Sequence, residues 1–330
     1  MQGMLPGLIA DAFGLGRPTS GLAAHSYSSL PTWRLDTVSG RVLVKRVSCD
    51  GWRDELDRAM GFEQAALTAG IAMPRPIQPV AAIFGCVAVV EGWGQVRAYE
   101  WVDGRPLTDA DDVAEWLGAT LALLHRIETL DCAQPQWYGL HSEQQWRAWL
   151  AEGIKQRRAW APVLQRRLAD VLIATAWIGQ AFQAAGDYVM THRDVEPWNV
   201  LMTAEGPVLV DWDTAGPDSA GLETAQAAVV FAGHGRAGPN ADAVQRTVAS
   251  YEQHGGRLAL RGRDALARRA GMRLNRLSER LRISLGQQAP GSTDLAQVEA
   301  RAGEQLEELP RFVDDLACWS QLLAAGGQAC

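Results

Sequence analysis

Residues 192–199 of this chain read HRDVEPWN, and residues 208–213 read VLVDWD. The first stretch places Asp194 five positions before Asn199, and the second places Asp211 directly after an apolar run. In phosphoryl transfer, a carboxylate at the first position orients an acceptor hydroxyl and takes its proton, while the amide and the second carboxylate hold Mg²⁺ against nucleotide phosphates. The spacing therefore indicates a phosphoryl-transfer site with oxygen ligands suited to a hard cation. A solvated turn with two carboxylates beside a packed tryptophan is the alternative.

The sequence around this motif predicts a β-hairpin. A strand at 188–190 enters the loop, and strands at 199–202 and 208–210 flank a turn that contains glycine and proline. A motif is strengthened by its structural context, and a loop carried by strands is the context that this motif requires. His192 is predicted to order the loop backbone rather than to take part in the chemistry.

Composition and charge narrow the class of protein. The chain has 330 residues, of which 47% are hydrophobic and 21% charged, and this balance predicts folded domains rather than disorder. The formal net charge is −7. An acidic surface disfavours nucleic acid and anionic membranes as main partners and favours cationic ligands.

The five cysteines are scattered and form no C-x-x-C pattern, which predicts reduced thiols rather than a zinc site or a disulfide framework. The first residues lack the basic segment of a signal peptide. No apolar run approaches the length that spans a membrane. We therefore expect a cytoplasmic protein without a membrane partner.

Hydrophobic periodicity predicts an α+β fold in two parts. The first part is predicted to hold a short helix, a hairpin, a second helix and two further strands, at 6–15, 33–47, 52–69, 83–91 and 95–99. Helical patterns dominate from Asp111 onward. The sequence thus predicts a β-rich N-terminal nucleotide-binding lobe at 1–103 and a larger, α-rich lobe for catalysis and acceptor binding at 104–330.

Lys45 lies on the second strand of the predicted hairpin, and Glu63 lies in the helix that follows. A lysine on such a strand, paired with a glutamate on the next helix, contacts the nucleotide phosphates in kinase-like sites. Glu55 is a competing partner at the first turn of the same helix. An exposed strand lysine and a solvated glutamate are the alternatives. Together with the downstream motif, the pattern predicts Lys45 and Glu63 as nucleotide-binding residues.

Residues 99–104 read YEWVDG and lie where the two predicted lobes join. A hinge here would offer the Glu100 carbonyl and the Val102 N–H to the edge of a purine base, and an ordinary strand end is the alternative. No G-x-G-x-x-G or Walker A pattern occurs. The loop 21–30 has small residues whose backbone N–H groups could cover phosphates, with Ser28 as the candidate contact, or it is an ordinary surface loop.

Nine arginines fall between residues 257 and 282, around an apolar stripe with helical spacing. The stretch predicts an amphipathic helix with a cationic outer face. A site for an anion or a partner protein is the alternative.

These residues resemble the aminoglycoside phosphotransferase family, the small-molecule branch of the protein-kinase-like fold. The resemblance covers about residues 21–235 and rests on Lys45, Glu63, the hinge, the 192–199 loop and the D-W-D at 211–213. Protein kinases are less similar, because they have a lysine where this chain has Glu196 and D-F-G where it has D-W-D. The resemblance implies a two-lobed kinase-like fold, with Asp194 as catalytic base, Asn199 and Asp211 holding Mg²⁺, and Lys45 contacting the phosphates.

The resemblance also implies transfer of a phosphoryl group from ATP to a hydroxyl of a small molecule, such as an aminoglycoside-like or other antibiotic. GTP is an open alternative because bulky Tyr99 stands at the position that guards the purine pocket. Choline-, homoserine- or sugar-type acceptors are also open. We expect an acidic acceptor pocket that includes Glu196, Asp218 and Glu223.

Two other classes of protein stay open: a catalytically inactive nucleotide-binding pseudokinase, and a nucleic-acid binder that uses the arginine-rich helix. The retained set of Lys45, Asp194, Asn199 and Asp211 disfavours the first class, and the net charge disfavours the second. The oligomeric state is not predicted.

Overall fold

The computed structural model of the protein describes residues 4–25, 32–49, 51–130, 138–289 and 294–324. Within them the strands are β1 (Ala23–His25), β2 (Thr32–Thr37), β3 (Gly40–Val47), β4 (Pro76–Ile77), β5 (Ala88–Val90), β6 (Gly94–Glu100), β7 (Arg105–Pro106), β8 (Tyr188–Thr191), β9 (Val200–Thr203), β10 (Gly206–Leu209) and β11 (Gly216–Ser219). The α-helices are α1 (Leu5–Ala12), α2 (Arg53–Thr68), α3 (Ala114–Leu124), α4 (Glu143–Lys155), α5 (Ala161–Ala185), α6 (Ala220–Ala232), α7 (Ala241–Gln253), α8 (Ala267–Ser284) and α9 (Leu295–Trp319). The predicted α+β class is confirmed.

Two contact-rich units make up the chain. Unit 1 comprises Met1–Val113, Leu123–Glu128 and Met190–Gly216, and unit 2 comprises Ala114–Ala122, Thr129–Val189 and Pro217–Cys330. The 192–199 loop and the D-W-D motif thus belong to the same unit as the N-terminal sheet. The division into lobes after Asp103 stays a prediction.

An antiparallel sheet in the order β1-β2-β3-β6-β4 forms the framework of unit 1, and β5 also pairs with β6. The β2–β3 hairpin closes through Thr37 opposite Gly40, whose φ of +133° suits only glycine at this tight turn. Leu35, Val42 and Val44 alternate onto one face and are buried against α1 and β6. The predicted hairpin is confirmed, and it fixes the position of Lys45 on β3.

The strand predicted at 83–91 is wrong in its first half, since β5 begins only at Ala88. The preceding residues form a turn in which the Val87 N–H donates to the Phe84 carbonyl and the Ile83 N–H donates to the Val87 carbonyl. Gly85 has φ +44° in this turn, and its position inside an apolar run concealed the break.

Unit 2 is built around α5, which packs against α4, α8 and α9. With 25 mostly apolar residues, α5 has the length and composition that could cross a membrane, contrary to the expectation that no apolar run reaches that length. Its apolar residues, such as Leu164, Val171 and Ile178, are buried against the neighbouring helices. Packing of this kind is that of a core helix.

Two smaller expectations also need correction. The arginine-rich stretch is α-helical only from Ala267, because Gly262 has φ +59° and opens a 3₁₀ turn instead. Cys49 and Cys86 are buried thiols outside any disulfide, as expected, whereas Cys318 is disulfide-bonded, contrary to the expectation of reduced cysteines.

Candidate active site

The side chain of Asn199 fixes the conformation of the loop that follows β8. Its Nδ2 donates to the Asp194 carbonyl at 2.9 Å and to the Asp194 carboxylate at 2.7 Å. Asn199 is buried, whereas Asp194 is half-buried and keeps one face open. The five-residue spacing of the motif therefore closes a small ring that aims the Asp194 carboxylate. Such an arrangement suits a base that must meet a hydroxyl in a fixed direction.

His192 orders the same loop from beneath. Its Nδ1 accepts from the Asp194 N–H at 3.3 Å, and its Nε2 lies 3.1 Å from the Val210 carbonyl. With Nδ1 accepting, Nε2 carries the proton and donates, which assigns one neutral tautomer. The ring also packs edge-on against Trp212 at 4.7 Å. The predicted ordering role of His192 is confirmed.

Two residues of the site adopt a left-handed backbone conformation, which is unfavourable for residues other than glycine. Arg193 has φ +65° and Asp211 has φ +70°. Strained residues of this kind cluster at functional sites, where the surroundings hold them. A Cβ on Gly216 would stand 2.5 Å from Arg193 Nη1, so this glycine makes room for the Arg193 side chain.

Lys45 is held by both carboxylates of the D-W-D motif. It contacts Asp211 directly and lies 2.7 Å from Asp213 Oδ2. Burial alone would lower the pKa of Lys45, but the attraction of Asp213 and Asp211 outweighs it and raises that pKa. Lys45 is therefore a fixed cation beside the predicted metal ligand.

Glu63 does not pair with Lys45 among the described residues, so the pair expected from the sequence is wrong. The Glu63 carboxylate instead contacts the guanidinium of Arg97 on β6, which also reaches Asp213 Oδ1 at 2.5 Å. Burial raises the pKa of Glu63, and the charge of Arg97 opposes that rise only in part. Burial would also raise the pKa of Asp213, but Lys45 and Arg97 together lower it.

Arg97 is the residue of this site that the sequence analysis missed. It lies directly opposite Lys45 in the register of β3 and β6, and both side chains are almost fully buried. Like charges at opposite positions of a sheet are unfavourable. Once β3 and β6 are paired, Arg97 lies opposite Lys45, and two buried cations at opposite positions need acidic partners between them. This pairing is the signal from which the shared carboxylate could have been predicted.

A cavity in unit 1 is enclosed by the hinge, β3 and the catalytic loop. Its lining residues are His25, Thr32, Leu43, Lys45, Pro74, Tyr99, Glu100, Trp101, Val102, Trp198, Asn199, Leu201, Val210, Asp211 and Trp212. Apolar and aromatic side chains make up most of the wall, which also includes the polar groups of Lys45, Asn199 and Asp211. This is the composition of a pocket that takes a flat base and a polar tail. Predicted Lys45, Glu100, Val102, Asn199 and Asp211 all meet here, and Ser28 lies outside the described residues.

The path of the predicted hinge segment, residues 99–104, depends on a close approach of two strands. A Cβ on Gly104 would stand 2.9 Å from Leu201 Cβ, so only glycine lets β7 pair with β9 at this point. The Trp101 N–H donates to the Arg41 carbonyl, and the Glu100 N–H donates to the Arg75 carbonyl. The backbone beside the cavity is thus fixed by its neighbours.

Asn199 and Asp211 supply the oxygen donors that fit a hard cation. No group of three or more His, Cys, Asp and Glu side chains capable of holding a metal occurs in the part of the chain that the structure describes. Mg²⁺ does not need such a cage, because it is commonly bound by one or two protein oxygens plus water and substrate phosphates. Both oxygens of Asp213 face cations, Arg97 and Lys45, whereas Asp211 lines the cavity, so Asp211 is the better candidate ligand of the two.

The acidic acceptor pocket expected from the sequence is not formed by Asp218 and Glu223. Both are 1% exposed inside unit 2, where Arg268 of α8 lies 2.7 Å from Asp218 and 3.8 Å from Glu223. Tyr138 also donates to Asp218. These carboxylates therefore serve to compensate a buried cation rather than to meet a ligand. Glu196 is also buried and presents little surface.

Known proteins place the chain in a family. The model of the phosphotransferase enzyme family, APH, matches residues 22–262. A curated relative, the trifolitoxin immunity protein of Rhizobium leguminosarum bv. trifolii, is 42% identical over 52 residues. That match spans 16% of this chain and 20% of the relative, so the chain covers only a fifth of the length of that relative.

Solved structures show the same fold along nearly the whole chain. A spectinomycin phosphotransferase in complex with ADP and spectinomycin has a TM-score of 0.63 at 15% identity and covers 98% of this chain and 99% of its own. An amicoumacin kinase in complex with AMP-PNP and Ca²⁺ has a TM-score of 0.62 at 13% identity, over 94% of this chain and 93% of its own. A microcompartment-associated aminopropanol kinase has a TM-score of 0.59 at 17% identity, over 95% and 99%.

These likenesses confirm the protein-kinase-like fold, and the family model confirms the resemblance seen in the sequence. The family match extends from the first strand to the loop before α8, and it includes every residue of the cavity. The chain belongs to the phosphotransferase enzyme family.

Proposed function

We propose that this protein transfers the γ-phosphoryl group of ATP, or of GTP, to a hydroxyl of a small molecule in a reaction that depends on Mg²⁺. The observation that carries the proposal is the single cavity that joins the hinge, Lys45, Asn199 and Asp211, with Asp194 held by Asn199 at 2.7 Å. The apolar part of its lining suits a nucleobase, and Lys45, Asn199 and Asp211 suit phosphates and a hard cation.

Each polar residue has a distinct role in this proposal. The Asp194 carboxylate accepts the proton of the acceptor hydroxyl as the oxygen attacks phosphorus, and the leaving nucleoside diphosphate departs on the opposite side. Lys45 compensates the charge of the phosphates. Asn199 and Asp211 would hold Mg²⁺, which supplies charge neutralisation when it is bound. The Glu100 carbonyl and the Val102 N–H offer hydrogen bonds to the purine base of the nucleotide.

For the acceptor, we propose a small cationic molecule, either an antibiotic or an amino alcohol metabolite. The net charge of −7 favours a cationic ligand. The structural neighbours include an enzyme of each kind, a spectinomycin phosphotransferase and an aminopropanol kinase. A resistance role and a metabolic role both follow from this chemistry. We further propose that the protein acts in the cytoplasm without nucleic acid or membrane.

The test is phosphate transfer with a panel of acceptors. ATP and GTP are each incubated with Mg²⁺ and with aminoglycosides, spectinomycin, amino alcohols, homoserine and neutral sugars, and nucleoside diphosphate is measured. We expect release well above the acceptor-free rate for one cationic class. A protein that binds nucleotide but transfers to none of them would favour the pseudokinase, and a preference for a neutral or anionic acceptor would overturn the charge argument.

Replacing Asp211 by Asn is expected to raise the Mg²⁺ concentration needed for half-maximal turnover. Partners outside the coordination shell are already worth about 10–100-fold in metal affinity, so loss of a charged ligand should cost at least about tenfold. The measurement is a Mg²⁺ titration of turnover, with Glu205→Gln in the exposed β9–β10 turn as control. An unchanged Mg²⁺ dependence would mean that Asp211 does not bind the metal.

Replacing Tyr99 by Met is expected to improve the use of ATP relative to GTP. Tyr99 lines the cavity, so its ring narrows the space beside the purine edge. The ring also lies under the Arg97 guanidinium, at 5.0 Å. Tyr99→Phe keeps the ring, and with it both the narrowing of the cavity and the contact with Arg97, so it serves as the comparison for Tyr99→Met. The ratio of kcat/KM for ATP and GTP is measured for both variants, and a ratio that stays constant in Tyr99→Met would remove Tyr99 from nucleotide selection.

A further inference from the structure

Five charged side chains form one continuous chain in unit 1, from α2 to the catalytic loop region. Glu63 contacts Arg97, Arg97 contacts Asp213, Asp213 contacts Lys45, and Lys45 contacts Asp211. Four of the five are almost fully buried, and Asp211 is the partly exposed end that lines the nucleotide cavity. A buried ionic chain of this length is stable only if every member keeps its partners.

Arg97 and Lys45 lie opposite one another on adjacent strands, so their two positive charges need a shared compensating group. Two buried cations at paired positions repel each other. Asp213 places one oxygen 2.5 Å from Arg97 and the other 2.7 Å from Lys45, so a single carboxylate compensates both cations. The position of Lys45 therefore depends on where Arg97 holds Asp213.

The other nitrogen of Arg97 is fixed by Glu63, at the middle of α2. A planar guanidinium offers two donors in a rigid fork, which suits a side chain that must join two carboxylates in a fixed geometry. The fork thus transmits the position of α2 to Asp213. Because Asp213 lies two residues after Asp211, it also constrains the short turn that carries the predicted metal ligand.

We infer that Arg97 is a positioning residue, which holds Lys45 and Asp211 in place for nucleotide phosphates through Asp213 and without contact to the nucleotide. The inference rests on the proposed function, since it takes Lys45 and Asp211 as the groups that receive Mg²⁺ and phosphates. The Glu63 carboxylate acts indirectly, by holding the guanidinium of Arg97 in place. Asp213 is a charge bridge and not a metal ligand.

The test is a double-mutant cycle on nucleotide affinity, with Mg·ADP as the probe. Dissociation constants are measured by calorimetry for the wild type, Arg97→Met, Lys45→Met and the double variant, each at a temperature where it is folded. We expect at least a tenfold weaker Mg·ADP affinity for Arg97→Met, and no further loss when Arg97→Met is added to Lys45→Met. Such non-additivity is the signature of residues that act as one unit.

Two further variants keep the test decisive if Arg97→Met does not fold. Glu63→Gln keeps the size of the side chain and removes the charge that anchors Arg97, so it is expected to weaken Mg·ADP binding by several-fold. Arg97→Lys keeps the positive charge, but an ammonium group cannot donate to two carboxylates in the same fixed geometry. We expect this variant to be as stable as the wild type or nearly so, but to bind Mg·ADP more weakly. The control is Arg34→Met on β2, a half-exposed arginine that is not a member of the chain.

The outcomes separate the inference from the proposed function. A wild type that does not bind Mg·ADP would contradict the proposed function itself. Wild-type binding with unchanged affinity in Glu63→Gln and Arg97→Lys would overturn the role of Arg97 and leave the proposed function in place. Losses for Arg97→Met and Lys45→Met that simply add would also overturn it, because independent residues act additively.

Discussion

Replacing Asp194 by Asn is expected to lower kcat by about 10²–10⁴ and to leave nucleotide affinity nearly unchanged, since general-base and positioning roles are typically of that size. Asn keeps the shape of the side chain but cannot accept the proton of the acceptor hydroxyl. Asp194 does not line the cavity that is proposed to hold the nucleotide, so its replacement should spare nucleotide binding. The measurements are steady-state turnover and the dissociation constant of Mg·ADP.

The matched control for this variant is Glu205→Gln, an exposed carboxylate in the turn between β9 and β10. It makes the same change of charge a few residues away from the loop and should leave turnover unaltered. Because Asn199 donates to the Asp194 carboxylate, the amide of Asp194→Asn can still accept from it and the loop should keep its fold. A variant that keeps more than about a hundredth of the wild-type kcat would contradict the assignment of Asp194 as base.

Replacing Arg268 by Met is expected to lower the free energy of unfolding by about 3–5 kcal/mol, the usual cost of removing one partner from a buried ion pair. Arg268 is almost fully buried and compensates both Asp218 and Glu223, which are buried as well. Its guanidinium also lies 5.5 Å from the Tyr138 ring. The loss would leave two carboxylates in unit 2 without their cation. The measurement is urea denaturation followed by circular dichroism.

Two comparisons make the Arg268 result interpretable. Arg276→Met changes an exposed arginine on the same helix and should alter stability by no more than about 0.5 kcal/mol. Adding Asp218→Asn to Arg268→Met removes part of the uncompensated charge and should recover part of the stability. If Arg268→Met lowered the free energy of unfolding by less than about 1 kcal/mol, as an ordinary surface substitution does, Arg268 would not be the cation on which these carboxylates depend.

The sequence predicted the elements of the site well because each is local. The loop around Asp194 is closed by a residue five positions away, the β2–β3 hairpin has a two-residue turn, and α2 has a clear helical period. In each case hydrophobic spacing and turn residues lie within one window of sequence. The cavity followed from these elements, since strand order brings β3 beside β6 and the hinge.

The partners of the charged residues were predicted less well because they depend on pairings far apart in the chain. Glu63 could reach either Lys45 or an unsuspected cation, and the register of β3 on β6 decided for Arg97. Asp218 and Glu223 were expected to bind an acceptor, but the arginine that compensates them comes from α8. Helical periodicity places Arg268 beside apolar neighbours and does not say which acids it meets.

The proposed reaction moves a phosphoryl group from a nucleoside triphosphate to an acceptor hydroxyl, with Asp194 as the base. The direct measurement is ³¹P NMR of ATP and Mg²⁺ with the acceptor that stimulates turnover. We predict that the γ-phosphorus signal of ATP disappears while a phosphomonoester signal and the signals of ADP grow in equal amount. Asp194→Asn should form both products at least about a hundredfold more slowly. Release of inorganic phosphate alone, or equal product formation by Asp194→Asn, would contradict the account.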